Sequence, residues 1–414
     1  MPQRALLVAL ARKSAEVAAC ERSLDELERL LETAGAEAVG RVLQVKSDPD
    51  PATLIGSGKL AEIADFCRSN GVSLVVFDTE LSPSQIRNLE DGMEDVLVID
   101  RSMLILDIFA LHAKTGEGKL QVELAQLKYT APRLTGHGKE LSRQGGTVGT
   151  RGPGESKLEE DRRHIHRRIT ALERSLAEME KNRATLRAAR DKTGMAKVAI
   201  VGYTNAGKST LLNLLTDAGV LSEDKLFATL DPTTRKLLLP SGEAILLTDT
   251  VGLIRKLPHH LVEAFRSTLD EARYADALVI VADMSDEECR EHLEVTFDTL
   301  RQLDAEGKPT LIVYNKCDAV EDFSLLPMEK NAVCISARTG KGVDAFLEQL
   351  SALLKEGKRD VVLRIPYAKA GELDGVYRHA TVKEVSYEED AIRVLATVDA
   401  KARGLYRAYM EEEA

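Results

Sequence analysis

The segment "VAIVGYTNAGKST", residues 198–210, decides what kind of domain this chain contains. An apolar run suited to a strand ends at Gly202, and Lys208 and Ser209 stand where the apolar helix "TLLNLLTDAG" begins. The spacing from Gly202 to Ser209 fits G-x-x-x-x-G-K-[ST], in which backbone N–H groups of a glycine-rich loop surround phosphates. In this motif the lysine neutralises phosphate charge and the serine hydroxyl holds Mg²⁺. The segment therefore predicts a phosphate-binding loop between a strand and a helix.

The residues expected to contact the nucleotide in this loop are consecutive. They are Gly202, Tyr203, Thr204, Asn205, Ala206, Gly207, Lys208, Ser209 and Thr210. A glycine-rich turn that matches by chance is the alternative, and the flanking strand and helix weigh against it. Asn205 has two interpretations. Its amide oxygen can coordinate a monovalent cation such as K⁺ beside the phosphates, in place of an arginine, or the residue merely favours the turn.

Two further motifs follow at the ends of strand-like runs. "LTDTVGL" supplies D-x-x-G, in which Asp249 can reach Mg²⁺ through water and the Gly252 N–H can meet the γ-phosphate, with Thr250 and Val251 between them. The next residue, Leu253, stands where many GTPases have the glutamine that orients the attacking water. Leucine has no polar atom for that task, so we expect slow intrinsic hydrolysis.

The base-binding residues come last along the chain. "VYNKCD" supplies Asn315, Lys316, Cys317 and Asp318, and "CISARTG" supplies Ser336, Ala337 and Arg338. The Asp318 carboxylate can accept hydrogen bonds from N1–H and the 2-amino group of guanine, and adenine offers neither donor. The backbone of the last motif is placed to meet guanine O6. Four motifs at successive strand ends, in this order, predict a domain that binds GTP and GDP with Mg²⁺.

A threonine between the first two motifs is expected to bind Mg²⁺ while the γ-phosphate is present and to let go afterwards. The stretch "LFATLDPTTRKLLL" offers Thr229, Thr233 and Thr234. The sequence by itself does not rank them.

The chain divides into four predicted regions. Residues 1–115 alternate strand-like and helix-like runs, as in a small α/β domain. Residues 116–194 predict a long antiparallel helical hairpin whose two helices are joined by the glycine-rich loop 136–156. Residues 195–357 have the pattern of a Ras-like, doubly wound P-loop GTPase domain. Residues 358–414 carry two alternating strands of a small α+β domain, expected to dock on the rest because so short a piece seldom holds a core alone.

Composition narrows the class of protein. The formal net charge of -11 argues against a chain coated with basic residues, so no DNA partner is expected. Five scattered cysteines without a C-x-x-C pair indicate reduced thiols rather than disulfides or zinc ligands. No apolar run approaches 18 residues, so we expect no transmembrane segment and a cytoplasmic protein. A monomer is expected as well, although the sequence does not determine the oligomeric state.

A local basic segment departs from the acidic average. Residues 133–168 hold nine Lys or Arg and five Asp or Glu, a net of four positive charges. Such a segment at the tip of a hairpin suits an RNA phosphate backbone. The alternative is an ordinary solvated helix face with paired charges.

The GTPase motifs, with "GGTVGTRGPGESKLEEDRR" and "LPHHLVEAFRSTLDEA", make the chain resemble the HflX family of translation-factor-related GTPases over roughly residues 5–350. The resemblance places the magnesium threonine in an F-A-T-L-D element, here Phe227, Ala228, Thr229, Leu230 and Asp231, and so favours Thr229. It implies hydrolysis of GTP to GDP and phosphate, binding to the large ribosomal subunit and its rRNA, and splitting or rescue of ribosomes under stress.

Two other functions fit the same motifs. The chain can be a GTP-gated scaffold whose hairpin binds a protein, and then high salt would barely affect binding. It can also be a GTPase that assists RNA modification or ribosome assembly through a protein partner. No additional catalytic constellation appears outside residues 196–357, which weighs against built-in modification chemistry.

Overall fold

The computed structural model of the chain describes residues 2–134, 153–191, 195–216, 226–227, 230–258, 261, 266–320, 331–356, 359–398 and 400–411. These residues form two compact units. The first comprises Met1–Glu178 with two later segments, Glu223–Asp231 and Lys256–Arg266, as far as their residues are described. The second comprises Met179–Ser222, Pro232–Arg255 and Ser267–Ala414. In the described part of the chain, no helix is long and apolar enough to cross a membrane.

A four-stranded parallel sheet forms the centre of the first unit. Its strands are β1 (Gln3–Ala11), β2 (Ala36–Val45), β3 (Leu74–Phe77) and β4 (Leu97–Asp100), in the order β2-β1-β3-β4. The short strands β3 and β4 are apolar, and all of β3 is buried. This is the pattern of parallel strands that are covered on both faces.

Helices connect and cover these strands: α1 (Val17–Thr33), α2 (Ser57–Asn70), α3 (Pro83–Met93) and α4 (Arg101–His112). Their ends follow from local sequence. Ser82 caps α3 in a reciprocal capping box with Gln85, and the Asp100 carboxylate accepts from the Met103 N–H at the start of α4. The strand–helix alternation predicted for this region is therefore present.

Two further helices follow, α5 (Gly116–Thr130) and the 39-residue α6 (Pro153–Asp191). Two ion pairs join them, Glu123 with Arg168 and Lys128 with Glu173. The two pairs come in the same order along both helices, since Glu123 precedes Lys128 on α5 and Arg168 precedes Glu173 on α6. These pairs therefore do not indicate the antiparallel order that we predicted for the hairpin, and the predicted loop lies mostly outside the described residues.

A buried charge cluster in the first unit includes a residue from late in the chain. Asp78, which follows β3, pairs with Arg101, and Arg101 also pairs with Glu26. Lys256 pairs with the same Asp78 carboxylate and donates to Ser23 Oγ at 2.9 Å. Lys256 is thus bound to residues beside the N-terminal sheet by an ion pair and a hydrogen bond.

The second unit contains a six-stranded sheet in the order β10-β9-β8-β5-β7-β6. The strands are β5 (Ala196–Gly202), β6 (Thr233–Leu238), β7 (Ala244–Asp249), β8 (Ala277–Asp283), β9 (Thr310–Asn315) and β10 (Ala332–Cys334). Five are parallel and β6 runs antiparallel to β7 at the edge. The sequence prediction did not include β6 as a strand, because its residues were assigned to the switch segment.

Four helices accompany this sheet: α7 (Lys208–Thr216), α8 (Arg266–Tyr274), α9 (Cys289–Gln302) and α10 (Val343–Glu356). The inner faces of α7 and α10 pack with the central strands in one core, in which Leu211, Leu212, Phe346 and Leu350 are fully buried. The doubly wound arrangement predicted from the sequence is confirmed.

The last region has a core of its own. Strands β11 (Arg359–Pro366), β12 (Thr381–Tyr387) and β13 (Ala391–Val398) form an antiparallel sheet with β13 in the centre, accompanied by α11 (Glu372–His379) and α12 (Ala400–Leu405). Leu363, Val376, Val394 and Tyr406 are among the buried residues of a separate hydrophobic cluster. So short a piece seldom holds a core alone, and this one does so with a third strand, β11, and a helix, α11, that the sequence prediction did not include.

Candidate nucleotide-binding site

The predicted motif residues lie at one edge of the six-stranded sheet. Strands β5, β7 and β9 end at Gly202, Asp249 and Asn315, and the segment after β10 carries Ser336 and Ala337. Because these strands are parallel members of one sheet, their carboxyl ends meet at the same edge, where ligands bind in open α/β sheets.

The phosphate-binding loop depends on glycine at two positions. Gly202 has φ +150°, and a Cβ there would lie 2.2 Å from the carbonyl oxygen of Val281. Gly207 has φ +93°, and its Cβ would lie 2.1 Å from Nδ2 of Asn315. Any side chain would therefore push the loop away from β8 and β9. The glycines of the motif are required by close packing as well as by backbone conformation.

Lys208 is buried at the start of α7, with 6% of its surface exposed. Its Nζ donates to the carbonyl oxygen of Tyr203 at 2.7 Å, so the side chain lies back along the loop. Burial lowers the pKa of Lys208 to about 8, and the negative charge of Asp249 opposes this shift. A phosphate anion beside the ammonium would restore its charged form.

The residues predicted to hold Mg²⁺ lie together. Ser209 Oγ donates to Asp249 Oδ2 at 2.6 Å, and Asp249 is fully buried. A hydroxyl and a carboxylate at hydrogen-bond distance supply the hard oxygen ligands that Mg²⁺ prefers. The donor set therefore fits the ion.

The segment after Asp249 is paired with the phosphate-binding loop. Leu253 donates its N–H to the Gly202 carbonyl (3.1 Å) and accepts from the Thr204 N–H (2.8 Å). A Cβ at Gly252 would lie 2.8 Å from Cα of Thr204. Leu253 is 3% exposed, so its side chain belongs to the core and presents no polar atom to a water molecule.

Asn315 links the two ends of the site. Its Nδ2 donates to the Ala206 carbonyl at 2.8 Å, and its Oδ1 accepts from the Ala337 N–H at 2.9 Å. The residue is 2% exposed. One buried side chain thus holds the phosphate-binding loop and the segment predicted to face guanine O6 in fixed positions.

The carboxylate that is predicted to bind the base, that of Asp318, is exposed to solvent. A hydrogen bond from Ser336 is the main cause that lowers the pKa of Asp318, and Arg338 and Lys316 lower it further. Asp318 is thus an acceptor at neutral pH, as hydrogen bonds from guanine N–H groups require. Lys316 is held by an ion pair to Asp283 at 2.6 Å, while Cys317 is buried behind it.

The candidate switch threonines lie in different surroundings. Thr229 and Ala228 are outside the described residues. Thr234 Oγ1 is hydrogen-bonded to Thr248 Oγ1 within the β6–β7 ladder (2.9 Å), and Thr233 is in register with Asp249. The Thr234 hydroxyl is therefore occupied inside the sheet.

The other members of the F-A-T-L-D element belong to the first unit. Phe227 and Leu230 are buried, and the Asp231 carboxylate accepts hydrogen bonds from Lys114 and Thr115. Asp231 thus has partners in the protein, and its predicted contact with the nucleotide stays a prediction.

The structure adds contacts that no motif indicated. Tyr203 stacks on His292 of α9 with ring centroids 3.7 Å apart, and its hydroxyl accepts from the Arg255 N–H at 2.8 Å. Arg255 forms a two-fold ion pair with Glu288, at 2.9 and 2.8 Å. Only the D-x-x-G motif lies near Arg255 in sequence, and nothing there indicates α9 as its partner.

The basic segment 133–168 is only partly available for a ligand. Arg133 lies over the Tyr129 ring and donates to the Leu81 carbonyl, and Arg168 pairs with Glu123. Arg162 and Arg167 are exposed on α6. Residues 135–152, which include most of the predicted loop, are outside the described part of the chain.

The asparagine of the phosphate-binding loop has a left-handed backbone, with φ +60° at Asn205. Asparagine tolerates this conformation better than most residues. The turn interpretation is thus sufficient for the residue type, and coordination of a monovalent cation stays a prediction.

Three family models match consecutive parts of the chain. They are a GTP-binding GTPase N-terminal region (residues 21–110), a GTP-binding GTPase middle region (residues 112–190) and a 50S ribosome-binding GTPase (residues 197–316). Together they extend from α1 to the end of β9 and just beyond.

Proteins named GTPase HflX are similar over most of the chain. The protein from Lacrimispora saccharolytica is 50% identical, and the match covers 96% of this chain and 93% of that protein. The one from Escherichia coli is 43% identical, covering 89% and 87%. Among solved structures, a GTP-binding protein from Sulfolobus solfataricus in complex with GDP is 27% identical with a TM-score of 0.44, covering 86% of this chain and 99% of that one.

Proposed function

Because this chain belongs to the HflX family of GTPases, we propose that it binds GTP with Mg²⁺ at the edge of the six-stranded sheet and hydrolyses it on the large ribosomal subunit. Binding of GTP would drive splitting or rescue of ribosomes under stress, and hydrolysis would return the protein to its GDP state. The observation that carries the proposal is the 2.6 Å contact between Ser209 Oγ and Asp249 Oδ2 beside the buried Lys208. An ammonium, a hydroxyl and a carboxylate there match a magnesium–triphosphate ligand.

The chain's own residues would divide the work of hydrolysis. Lys208 and the loop N–H groups hold the phosphates, and Asp318 selects guanine. Mg²⁺, when bound by Ser209 and through water by Asp249, would neutralise charge on the β- and γ-phosphates. Thr229 would join the ion's ligands only in the GTP state.

The residues named so far do not account for activation of the attacking water. Leu253 is buried and apolar, so no side chain at that position orients the nucleophile. Hydrolysis by the isolated protein should therefore be slow. A ribosomal partner that binds the GTP-state conformation better than the GDP-state conformation would accelerate the reaction, because only differential binding can shift that equilibrium.

Support for a ribosomal partner comes from the family and from charge. The model that matches residues 197–316 is described as a 50S ribosome-binding GTPase. The basic segment 133–168 has a net of four positive charges in a chain of net charge -11, and Arg162 and Arg167 are exposed on α6. Phosphate backbones attract such a segment in a salt-dependent way.

The test uses an orthogonal nucleotide. Intact ribosomes are incubated with the protein and GTP, GDP or a non-hydrolysable GTP analogue, and free subunits are measured on sucrose gradients. We expect free subunits with GTP and the analogue but few with GDP. Asp318→Asn should weaken the binding of GTP by about 2 kcal/mol, as for the removal of a charged hydrogen bond. With this variant, splitting should require xanthosine triphosphate in place of GTP. That change would show that splitting depends on the nucleotide bound at the guanine site.

The two rival functions predict different profiles of ribosomal particles on the sucrose gradients. A GTP-gated scaffold would leave the ribosome profile unchanged and would bind a protein partner with little sensitivity to salt. An assembly GTPase would bind immature large subunits in preference to intact ribosomes. Splitting by Asp318→Asn with GTP as efficiently as by the wild type would contradict the assignment of Asp318.

A further inference from the structure

The side chain of Tyr203 contacts the chain that follows the D-x-x-G motif. Tyr203 is the second residue of the phosphate-binding loop and is 6% exposed. Its hydroxyl oxygen accepts from the backbone N–H of Arg255 at 2.8 Å, and its carbonyl oxygen accepts from Lys208 Nζ at 2.7 Å. One residue therefore contacts both the lysine that is predicted to bind phosphates and the segment that is predicted to respond to the γ-phosphate.

The tyrosine ring is fixed by a second contact in the same unit. It stacks on the His292 ring of α9, with centroids 3.7 Å apart and 16° between the ring planes. His292 is itself buried, with 9% of its surface exposed. Because side chains in a close-packed region have little freedom to change rotamer, this stack determines where the Tyr203 hydroxyl lies.

Arg255 is held by its side chain as well as by its backbone. Its guanidinium forms a two-fold ion pair with Glu288, the N-cap residue of α9, at 2.9 and 2.8 Å. The two side chains are 19% and 20% exposed, so solvent ions screen the pair only in part. Tyr203 and Glu288 thus bind Arg255 at two different points within the second unit.

Backbone hydrogen bonds extend this contact to the D-x-x-G glycine. The Leu253 N–H donates to the Gly202 carbonyl at 3.1 Å, and the Leu253 carbonyl accepts from the Thr204 N–H at 2.8 Å. Gly252 is consequently close to the loop, since a Cβ there would lie 2.8 Å from Thr204 Cα and 3.2 Å from Lys208 Nζ. The residue whose N–H is predicted to meet the γ-phosphate therefore lies beside the ammonium that is predicted to neutralise phosphate charge.

We infer that Tyr203 is a positioning residue for Gly252: through Arg255, its side chain holds the segment 252–255 where the Gly252 N–H can meet the γ-phosphate of GTP. Gly252 adjoins Leu253, whose backbone is bound to the loop, and Arg255 follows two residues later. A segment that is already in place binds the γ-phosphate more strongly, because it need not be ordered at that moment. This inference rests on the proposed binding and hydrolysis of GTP and is independent of the ribosomal partner.

The experiment compares two substitutions of Tyr203. Tyr203→Phe removes only the hydroxyl and keeps the ring that stacks on His292, so the loop should retain its fold. Tyr203→Leu removes both the hydroxyl and the ring. For each variant we would measure single-turnover GTP hydrolysis with saturating Mg²⁺, and the affinities for GDP and for a non-hydrolysable GTP analogue.

Tyr203→Phe should weaken the binding of the GTP analogue about five- to tenfold and slow hydrolysis by a similar factor, the scale of one hydrogen bond to a buried group. Its affinity for GDP should stay close to that of the wild type, because GDP has no γ-phosphate for Gly252 to meet. Tyr203→Leu should weaken the binding of both nucleotides, since it also removes packing from the loop.

Two results for Tyr203→Phe would overturn the inference. An equal loss of affinity for GDP and for the GTP analogue would show that the hydroxyl only supports the fold of the loop. An affinity for the analogue equal to that of the wild type would show that the hydroxyl does not position Gly252, whatever the rate of hydrolysis.

A second pair of variants tests the position of Arg255 from its other side. Glu288→Gln keeps the size of the side chain but removes the charge that pairs with the guanidinium, and it should also reduce the preference for the GTP analogue over GDP. Glu294→Gln is the matched control and should match the wild type, because Glu294 is exposed on α9. Identical preferences in Glu288→Gln and the control would overturn the inference as well. Failure of the wild type to hydrolyse GTP at all would instead reject the proposed function.

Discussion

Asn315 Nδ2 lies 2.8 Å from the carbonyl oxygen of Ala206, so a side chain at the end of β9 holds the phosphate-binding loop in place. The same amide accepts from the Ala337 N–H at 2.9 Å. The distance between the phosphate-binding and base-binding parts of the site is therefore set by one buried residue. Two hydrogen bonds from this one side chain therefore support the phosphate-binding loop and the segment after β10 together.

Replacing Asn315 by Asp should weaken all guanine nucleotides alike. The new carboxylate would place an oxygen against the Ala206 carbonyl, where the amide now donates, and the loop would lose its support. We expect GTP and GDP affinities to fall by a similar factor of about 10 to 100, as for a buried polar group left without its partner. Fluorescence titration with both nucleotides measures this. A weaker affinity for GTP alone would show that Asn315 acts on the γ-phosphate rather than on the loop.

Nucleotide binding should take up protons near pH 8. Burial lowers the pKa of Lys208 to about 8, so in the nucleotide-free protein Lys208 is mainly charged below this pH and mainly neutral above it. Bound phosphates favour the ammonium and raise this pKa again. GDP binding should therefore take up about half a proton at pH 8 and almost none at about pH 6.5, and affinity should decline as the pH rises above 8.

Calorimetry in buffers with different ionisation enthalpies measures that uptake. Asp318→Asn, tested with xanthosine diphosphate, serves as a control because it leaves Lys208 untouched. A binding heat at pH 8 that does not depend on the buffer would contradict the lowered pKa of Lys208.

Potassium should stimulate hydrolysis if the amide of Asn205 coordinates a monovalent ion. The rate should then be higher in K⁺ than in Na⁺ at equal ionic strength. Asn205→Ala should remove the difference. Asn205→Gly is the informative control, because glycine accepts the left-handed backbone at φ +60° but has no amide side chain. Equal rates of the wild type in both salts would leave Asn205 with the role of a turn residue.

Exposed arginines of α6 should determine how steeply ribosome binding depends on salt. Replacing Arg162 and Arg167 together by Ala should reduce the slope of log affinity against log salt by about one for each phosphate that is no longer neutralised. Arg174→Ala is a matched control, since Arg174 is exposed on the same helix beyond the basic segment. Intrinsic GTP hydrolysis should be unchanged in both variants. An identical slope for the double variant and the control would remove this face of α6 from the ribosomal interface.

The sequence was sufficient to predict that the motif residues of the second unit lie together. Phosphate and guanine recognition require particular residue types at fixed spacing next to strand ends, so roles for Lys208, Ser209, Asp249 and Asp318 could be predicted without coordinates. The resemblance to the HflX family is confirmed by relatives up to 50% identical over nearly the whole chain. The edge strand β6 was not predicted, because its residues follow directly on the F-A-T-L-D element and were assigned to the switch segment.

Contacts between residues that are far apart in the sequence became known only from the tertiary structure. Thr115 and Asp231 are 116 residues apart, and no local pattern indicates that the end of the F-A-T-L-D element binds the N-cap residue of a helix of the N-terminal unit. The same holds for Lys256 and Asp78, whose charges are brought together only by the tertiary fold. Spacing within a motif is fixed by covalent geometry, which the sequence contains. The position at which a switch segment packs depends on which apolar surfaces are buried against each other. That burial is a property of the whole folded chain.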